Sequence, residues 1–144
     1  MNQGKKQGTN QRLTVSVSGQ GLYDLTHKVT ELVTSSGLRD GLATLFLRHT
    51  SASLLIQENA DPAVRRDLER WLDRLVPEGD ALYTHLTEGP DDMPAHIKAA
   101  LTAVSLSIPV MDGRLALGTW QAIYLWEHRR KSGERQIVVS LLPG

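Results

Sequence analysis

Polar and β-branched residues alternate through RLTVSV, residues 12–17, which predicts a strand ended by Gly19 and Gly21. The period then changes. Leu22, Leu25, Val29, Leu32 and Val33 recur at helical spacing, with Gly37 as the stop. GLATLFLRHT returns to period two and carries Ala43, Leu45, Leu47 and His49 on one face, Leu42, Thr44, Phe46 and Arg48 on the other. SLLIQE predicts a further strand, with Leu54, Ile56 and Glu58 in one row. Asp61-Pro62 is a helix start, because the carboxylate accepts free N–H groups and proline suits the first turn. Val64, Leu68, Trp71, Leu72 and Leu75 follow as the apolar stripe of that helix, which ends near Pro77 and Gly79.

ALYTHL reads as a short strand with Tyr83 and His85 on one face. A second capped helix starts around Asp92 to Pro94 and runs through Ile97, Leu101 and Val104. Asp112-Gly113 is a type I′ hairpin signal between LSIPVM and the long strand RLALGTWQAIYLWEH, and RQIVVSLL closes the chain after Ser132-Gly133. This order lacks regular βαβ alternation. It predicts an α+β fold of largely antiparallel sheets with two or three helices. The long strand is apolar on both faces, with Leu115, Leu117, Ile123 and Leu125 opposite Trp120, Ala122, Tyr124 and Trp126. A small domain seldom covers both faces of its sheet, so a homo-oligomer that packs sheets together is expected.

The 144 residues suit one domain with a real core. They are too few for a barrel of eight βα units, which needs about 250. Residues 1–11, MNQGKKQGTNQ, are polar and Gly-rich and read as a disordered tail, which leaves residues 12–144 as a single domain. Sixteen basic residues balance sixteen acidic ones, so no overall field draws the protein to nucleic acid or a membrane surface. There is no cysteine, which removes disulfides, thiolate ligands and a cysteine nucleophile. With no apolar signal region and no apolar run near the ~20 residues of a membrane span, the protein is expected to be soluble and cytoplasmic.

Polar residues end inward strand rows at His49, Glu58 and His85, and Asp91, Asp92 and His96 gather at a helix start. Buried unpaired groups of this kind cost roughly 1 to 3 kcal/mol each, so they are expected to meet one another or a ligand. HLTEGPDDMPAHIK, residues 85–98, has two readings. In the plain one an aspartate caps the helix. Capping leaves the histidines unexplained, and a first-turn His96 is favoured neutral near the positive helix end, as a metal ligand must be. Imidazoles with a carboxylate make a usual zinc-type site, although the spacing matches no short motif such as HExxH. Adjacent Ser51 and His49 lack the context of a nucleophile elbow. The HTSAS hydroxyls, with Asn59 nearby, suit phosphate oxygens instead. Trp120 in GTWQ reads first as core or interface and second as a pocket wall, with Gln121 as an amide reader. EHRR reads as a surface charge run, with His128 a further candidate.

Together, HTSASLLIQENADP, HLTEGPDDMPAHIK and GRLALGTWQAIYLWEHR resemble the YjbQ-like family, often labelled secondary thiamine-phosphate synthase, over residues 12–142. The resemblance implies antiparallel sheets folded into a sandwich or barrel-like core, assembled as a homotrimer with a pocket near subunit boundaries. It implies a metal held by His49, His85 and His96. Three imidazoles suit zinc better than magnesium or manganese. The implied activity joins an aminopyrimidine diphosphate to a thiazole phosphate, releasing pyrophosphate. Thr50, Ser51, Asn59, Trp120, Gln121 and Arg129 are the expected substrate contacts, and Glu58 or Asp92 moves the proton. Where many relatives carry Asp-Asn, this chain has Asp91-Asp92, so Asp92 is open as ligand, base or cap. The leading expectation is thus a metal-dependent enzyme on a small phosphorylated substrate, with the thiamine activity as main or side reaction. The alternative is a trimeric metal and small-anion binding protein without turnover.

Overall fold

The computed structural model describes residues 8–144. The elements in chain order are β1 (Thr9–Val17), β2 (Gly21–Asp24), α1 (Thr26–Ser36), β3 (Gly41–Leu47), β4 (Ala52–Glu58) and α2 (Pro62–Leu75). They continue with α3 (Asp92–Leu101), β5 (Ser105–Met111), β6 (Arg114–Leu115), β7 (Gln121–Glu127) and β8 (Gly133–Pro143). The strands form a five-stranded sheet in the order β1-β8-β3-β5-β6 and a three-stranded sheet in the order β2-β7-β4. Every pairing is antiparallel, as expected for an α+β chain.

The alternating rows explain how these layers meet. Ala43, Leu45 and Leu47 of β3 and Ile137, Val139 and Leu141 of β8 point inward from the large sheet. They pack on Leu54 of β4, on Ile123 and Leu125 of β7, and on Val29 and Val33 of α1. Fully burying each of the Leu, Ile and Val side chains contributes roughly 1.5 to 3 kcal/mol. The opposite face of β7 packs Trp126 against Leu72 and Val76, with Leu55, Leu68 and Ile97 beside them. Sheet, sheet and the α2/α3 layer therefore stack in that order.

This stacking corrects the argument from the two-faced strand. Ala122 to Trp126 are all buried within one chain, one face on the large sheet and the other under α2 and α3, so they require no second copy. The long strand is also two: β6 and β7 lie in different sheets. The turn that separates them is tied by Gly118 N donating to Gln121 Oε1 at 2.8 Å.

Other boundaries moved for local reasons. Residues 9–11, expected in the tail, continue β1 by pairing with Leu141, Ser140 and Val139; residues 1–7 of that tail lie outside the described residues. Leu22 to Asp24 form β2 on the edge of β7, and α1 starts only after Asp24 Oδ1 accepts Thr26 N at 2.9 Å. The expected strand ALYTHL is turn and coil. Asp80 Oδ1 accepts Leu82 N at 2.9 Å and Tyr83 Oη donates to the Pro77 carbonyl at 2.9 Å, so turn chemistry wins over alternation. Asp61 caps α2 through Ala63 N as expected. Trp71 and Leu75, expected in its apolar stripe, are half exposed because the inward row is Leu68, Leu72 and Val76 and they lie about 100° around the helix from it. Among the described residues no helix is long and apolar enough to cross a membrane.

Candidate functional site

Asp91 stands at the N-terminus of α3 but its carboxylate caps no helical N–H. It turns instead to the chain leaving β7. Asp91 Oδ2 accepts Arg129 Nε at 3.1 Å and the backbone N–H of Arg130 at 2.9 Å. The approach to α3 needs Gly89, whose φ of 105° lies in the region that side chains avoid. There the Glu88 carbonyl accepts Arg129 Nη2 at 2.7 Å.

Asp92 is buried and has three side-chain partners. Its Oδ1 accepts Arg129 Nη1 at 2.8 Å, and its Oδ2 meets His85 Nε2 at 2.6 Å and His96 Nε2 at 3.1 Å. His96 reaches it because residues four apart share a helix face. His85 comes from the coil before α3, and its ring lies 5.4 Å from that of His96. One nitrogen from each histidine and one Asp92 oxygen all lie within 4.8 Å of one another.

The tautomer of His96 gives this cluster its chemistry. His96 Nδ1 lies 3.0 Å from the Thr50 carbonyl, a pure acceptor, so Nδ1 carries the hydrogen. In a neutral ring Nε2 is then a lone pair directed at a carboxylate oxygen. Two acceptors this close need a proton or a cation between them. A proton on Nε2 makes the contact an ion pair; a divalent metal ion fits the same gap, and the carbonyl bond on the far nitrogen is the usual orienting contact of a metal-binding histidine.

The surrounding charges are strongly coupled. Burial pushes the Asp92 carboxyl up, but the His85 hydrogen bond and the His96 and Arg129 charges outweigh it and hold Asp92 below the usual carboxylate range. Asp91 behaves likewise: burial raises it, and the bonds from Arg130 N and Arg129 bring it down further. Burial lowers Arg129, and its contacts with Asp91 overcome this and keep it firmly cationic.

A cavity of about 400 Å³ opens over this cluster. His49 and Ser51 form one wall, with His49 Nε2 at 3.0 Å from Ser51 Oγ. Burial, then the nearby Arg135 charge, lowers the His49 pKa and leaves a neutral imidazole. Beneath, the fully buried Glu127 accepts Arg135 Nε at 2.6 Å and Arg129 N at 3.1 Å. Lys131 and Ser132 lie exposed at the rim, and exposed Thr50 also lines the cavity.

The fold thus brings together His49, Thr50, Ser51, His85, Asp92, His96 and Arg129. It changes three expected roles. Asp92, rather than His49, completes the close cluster with His85 and His96. Neither aspartate is a side-chain cap. Arg129 is engaged by Asp91, Asp92 and the Glu88 carbonyl, so it orients carboxylates rather than presenting a free guanidinium to substrate.

Glu58, Asn59, Trp120 and Gln121 are not in this cavity. Ala52 pairs with Glu127 at the cavity end of the sheet, whereas Glu58 pairs with Gln121 at the other end. At about 3.4 Å per residue the two ends are ~20 Å apart. Asn59 N donates to the Trp120 carbonyl at 3.0 Å there. Trp120 is 63% exposed, so it fills no core within the chain. Glu58 Oε2 is buried and meets no hydrogen-bond partner among the described residues. His128 does not line this cavity; its Nε2 lies 2.8 Å from Ser53 Oγ.

Glu88, which belongs to the polar stretch HLTEGPDDMPAHIK, also lines the cavity, and sequence reasoning missed Lys131, Ser132, Arg135 and Glu127. Two of these carried a signal. Arg135 precedes the inward row Ile137, Val139 and Leu141, and Glu127 ends the row Ile123 and Leu125, the same criterion that selects His49.

Residues 11–144 match the family described as UPF0047 protein YjbQ-like. The UPF0047 protein sll1880 of Synechocystis is 51% identical over 127 residues, 88% of this chain and 86% of that protein. The UPF0047 protein YjbQ of Salmonella typhimurium is 48% identical over 132 residues, 90% of this chain and 94% of that protein. Among solved structures, a YjbQ/UPF0047 family protein of Clostridium acetobutylicum is 40% identical with a TM-score of 0.79, over 93% of this chain and 99% of that one. A conserved hypothetical protein of Thermus thermophilus is 37% identical with a TM-score of 0.80, over 91% and 98%. These descriptions carry no synthase name.

Proposed function

The chain belongs to the YjbQ-like UPF0047 family, and we propose that it is a metal-dependent enzyme acting on a small phosphorylated substrate in the cavity over His85, Asp92 and His96. One observation carries this reading: His96 Nε2 meets Asp92 Oδ2 at 3.1 Å while its Nδ1 is committed to the Thr50 carbonyl. His85 Nε2, Asp92 Oδ2 and His96 Nε2 would hold the ion, and two imidazoles with one carboxylate favour zinc over magnesium or manganese. Bound there, a divalent metal supplies Lewis-acid polarisation of a phosphate oxygen or water.

The remaining roles belong to the chain itself. Arg129 fixes the orientation of Asp91 and Asp92. His49, kept neutral, accepts a proton at Nε2, the atom that meets the Ser51 hydroxyl. Lys131, Ser132 and Thr50 supply donors for phosphate charge, because Arg129 is already occupied. The specific reaction proposed joins an aminopyrimidine diphosphate to a thiazole phosphate with release of pyrophosphate, as a main or side activity. A homotrimer would let Glu58, Asn59, Trp120 and Gln121 of one copy approach the cavity of another. Support for association comes from the outer face of the large sheet, where Leu42 pairs with Leu142 and Phe46 lies further along, all three exposed.

The test is turnover by the purified chain with added zinc, manganese or magnesium on that substrate pair and on simple phosphate esters. Metal-dependent release of pyrophosphate or phosphate, lost in Asp92→Asn, is the expected result. Metal and phosphate binding with no turnover would favour the trimeric binding protein instead.

A further inference from the structure

Arg129 and Arg135 both line the cavity over Asp92, and they differ in how many of their N–H groups are engaged. Arg129 donates from all three nitrogens, to Asp91, Asp92 and the Glu88 carbonyl. Arg135 donates from two: Nε to Glu127 Oε1 at 2.6 Å and Nη1 to the Glu134 carbonyl at 2.9 Å. A guanidinium carries five N–H hydrogens, so three remain, two of them on Nη2.

Nη2 is open rather than closed off. The Arg135 side chain is 11% exposed, yet the buried side-chain polar atoms with no partner among the described residues are Glu58 Oε2 and His128 Nδ1, and Nη2 is not one of them. Solvent therefore reaches it, and the cavity of about 400 Å³ is where Arg135 borders open space.

The strand rows explain this placement. Arg135 precedes the inward row Ile137, Val139 and Leu141 of β8, His49 follows the inward row Ala43, Leu45 and Leu47 of β3, and Leu47 pairs with Ile137. Both side chains thus leave the core at the same end of the large sheet. Glu127 ends β7 beneath them, fully buried, and its carboxylate holds the guanidinium in place. A buried pair of this kind is stable when further acceptors meet its remaining N–H groups. Water does so in an open cavity. A ligand that displaces the water must bring acceptors of its own.

The other lining groups set the chemistry of that ligand. Three cations, Arg129, Lys131 and Arg135, line the cavity with two carboxylates, Glu88 and Asp92. Lys131, Ser132 and Thr50 are exposed there and add an ammonium and two hydroxyls. A tetrahedral phosphate presents oxygens in several directions and answers a guanidinium, an ammonium and hydroxyls together.

We propose that Arg135, held by Glu127, is the phosphate receptor of this cavity and donates from Nη2 to a phosphate oxygen of the ligand. The assignment rests on the reading of the cavity as a site for a small phosphorylated substrate and adds the group that recognises it. It needs no metal.

The test is calorimetric titration of inorganic phosphate into the full chain at neutral pH, with and without zinc. Arg135→Lys keeps a cation on Glu127 but has no second nitrogen for the cavity. It should retain the far-UV circular dichroism and zinc uptake of wild type and bind phosphate at least about tenfold more weakly, as expected for losing a hydrogen bond between charged groups. Arg135→Gln combined with Glu127→Gln, which removes both charges of the buried pair, should show the same loss, and acetate should bind wild type more weakly than phosphate does. Phosphate affinity equal to wild type in either folded variant, no phosphate binding by wild type, or acetate binding as tight as phosphate overturns the assignment. Arg135-dependent phosphate binding without zinc uptake upholds the assignment and removes the metal. Zinc uptake with phosphate binding indifferent to Arg135 removes the assignment and leaves the metal.

Discussion

His96 Nε2 lies 3.1 Å from Asp92 Oδ2, one turn back along α3, and the hydrogen that would make this an ordinary neutral hydrogen bond is held on the other ring nitrogen by Thr50. Asp92 is thus the hub of the cavity, linking His85, His96 and Arg129 at once. Replacing it with Asn removes the charge that three partners face. Asp92→Asn should lower stability by about 3 kcal/mol, within the range for breaking a buried pair, read as a lower urea midpoint at pH 7 with an unchanged slope. An unchanged midpoint would remove Asp92 from that hub.

Acid should act on the same hub. Asp91 and Asp92 both have folded pKa values held below the ordinary carboxylate value. Their contribution to stability is therefore complete above that ordinary value, near 4, and is lost as pH falls through the lower folded values. Wild type should lose stability below about pH 4, and Asp91→Asn should lose less over that range. Urea unfolding at stepped pH checks both.

His128 has the opposite chemistry and its own window. Its folded pKa is about 3, against an ordinary 6.5, so between these values the unfolded chain binds a proton that the folded chain refuses. Stability should fall as pH drops from 6.5 toward 3, by several kcal/mol at full extent. His128→Gln should be less stable at pH 7 because the Ser53 contact changes, yet flatter between pH 6.5 and 4. An identical slope in that variant would mean that other groups carry the transition.

How much of this was legible in the sequence follows from what each signal depends on. Strand rows and the caps are local, so β3, β4, α2 and the Asp112-Gly113 hairpin could be read directly. His49 and His96 were found because they interrupt or end patterns that are otherwise apolar. The role of Asp91 was not legible, since capping and pairing with Arg129 place the same residue at the same helix start, and Arg129 lies thirty-eight positions away. ALYTHL failed because one Asp80 side chain outweighed a weak alternation. The long strand failed because nothing in its apolar pattern records that Gly118 and Gln121 turn the chain from one sheet to the other. The two-faced burial of β7 looked like an oligomer signal because the α2/α3 layer cannot be counted from sequence.

Association is therefore better tested where the single chain leaves apolar surface. Phe46 is 49% exposed and Leu142 51% exposed on the outer face of the large sheet. Wild type should sediment as a trimer, and Phe46→Asp should sediment as a folded monomer with unchanged far-UV circular dichroism. Monomeric wild type would contradict the trimer.

The most direct test of the central claim is zinc titration of metal-stripped protein by calorimetry, comparing wild type with Asp92→Asn, His96→Ala and His49→Ala. The expected result is one zinc per chain in wild type and in His49→Ala, and loss of that binding in the other two. Zinc binding unaffected by Asp92→Asn and His96→Ala, or no zinc uptake by wild type, would contradict a metal site built on His85, Asp92 and His96.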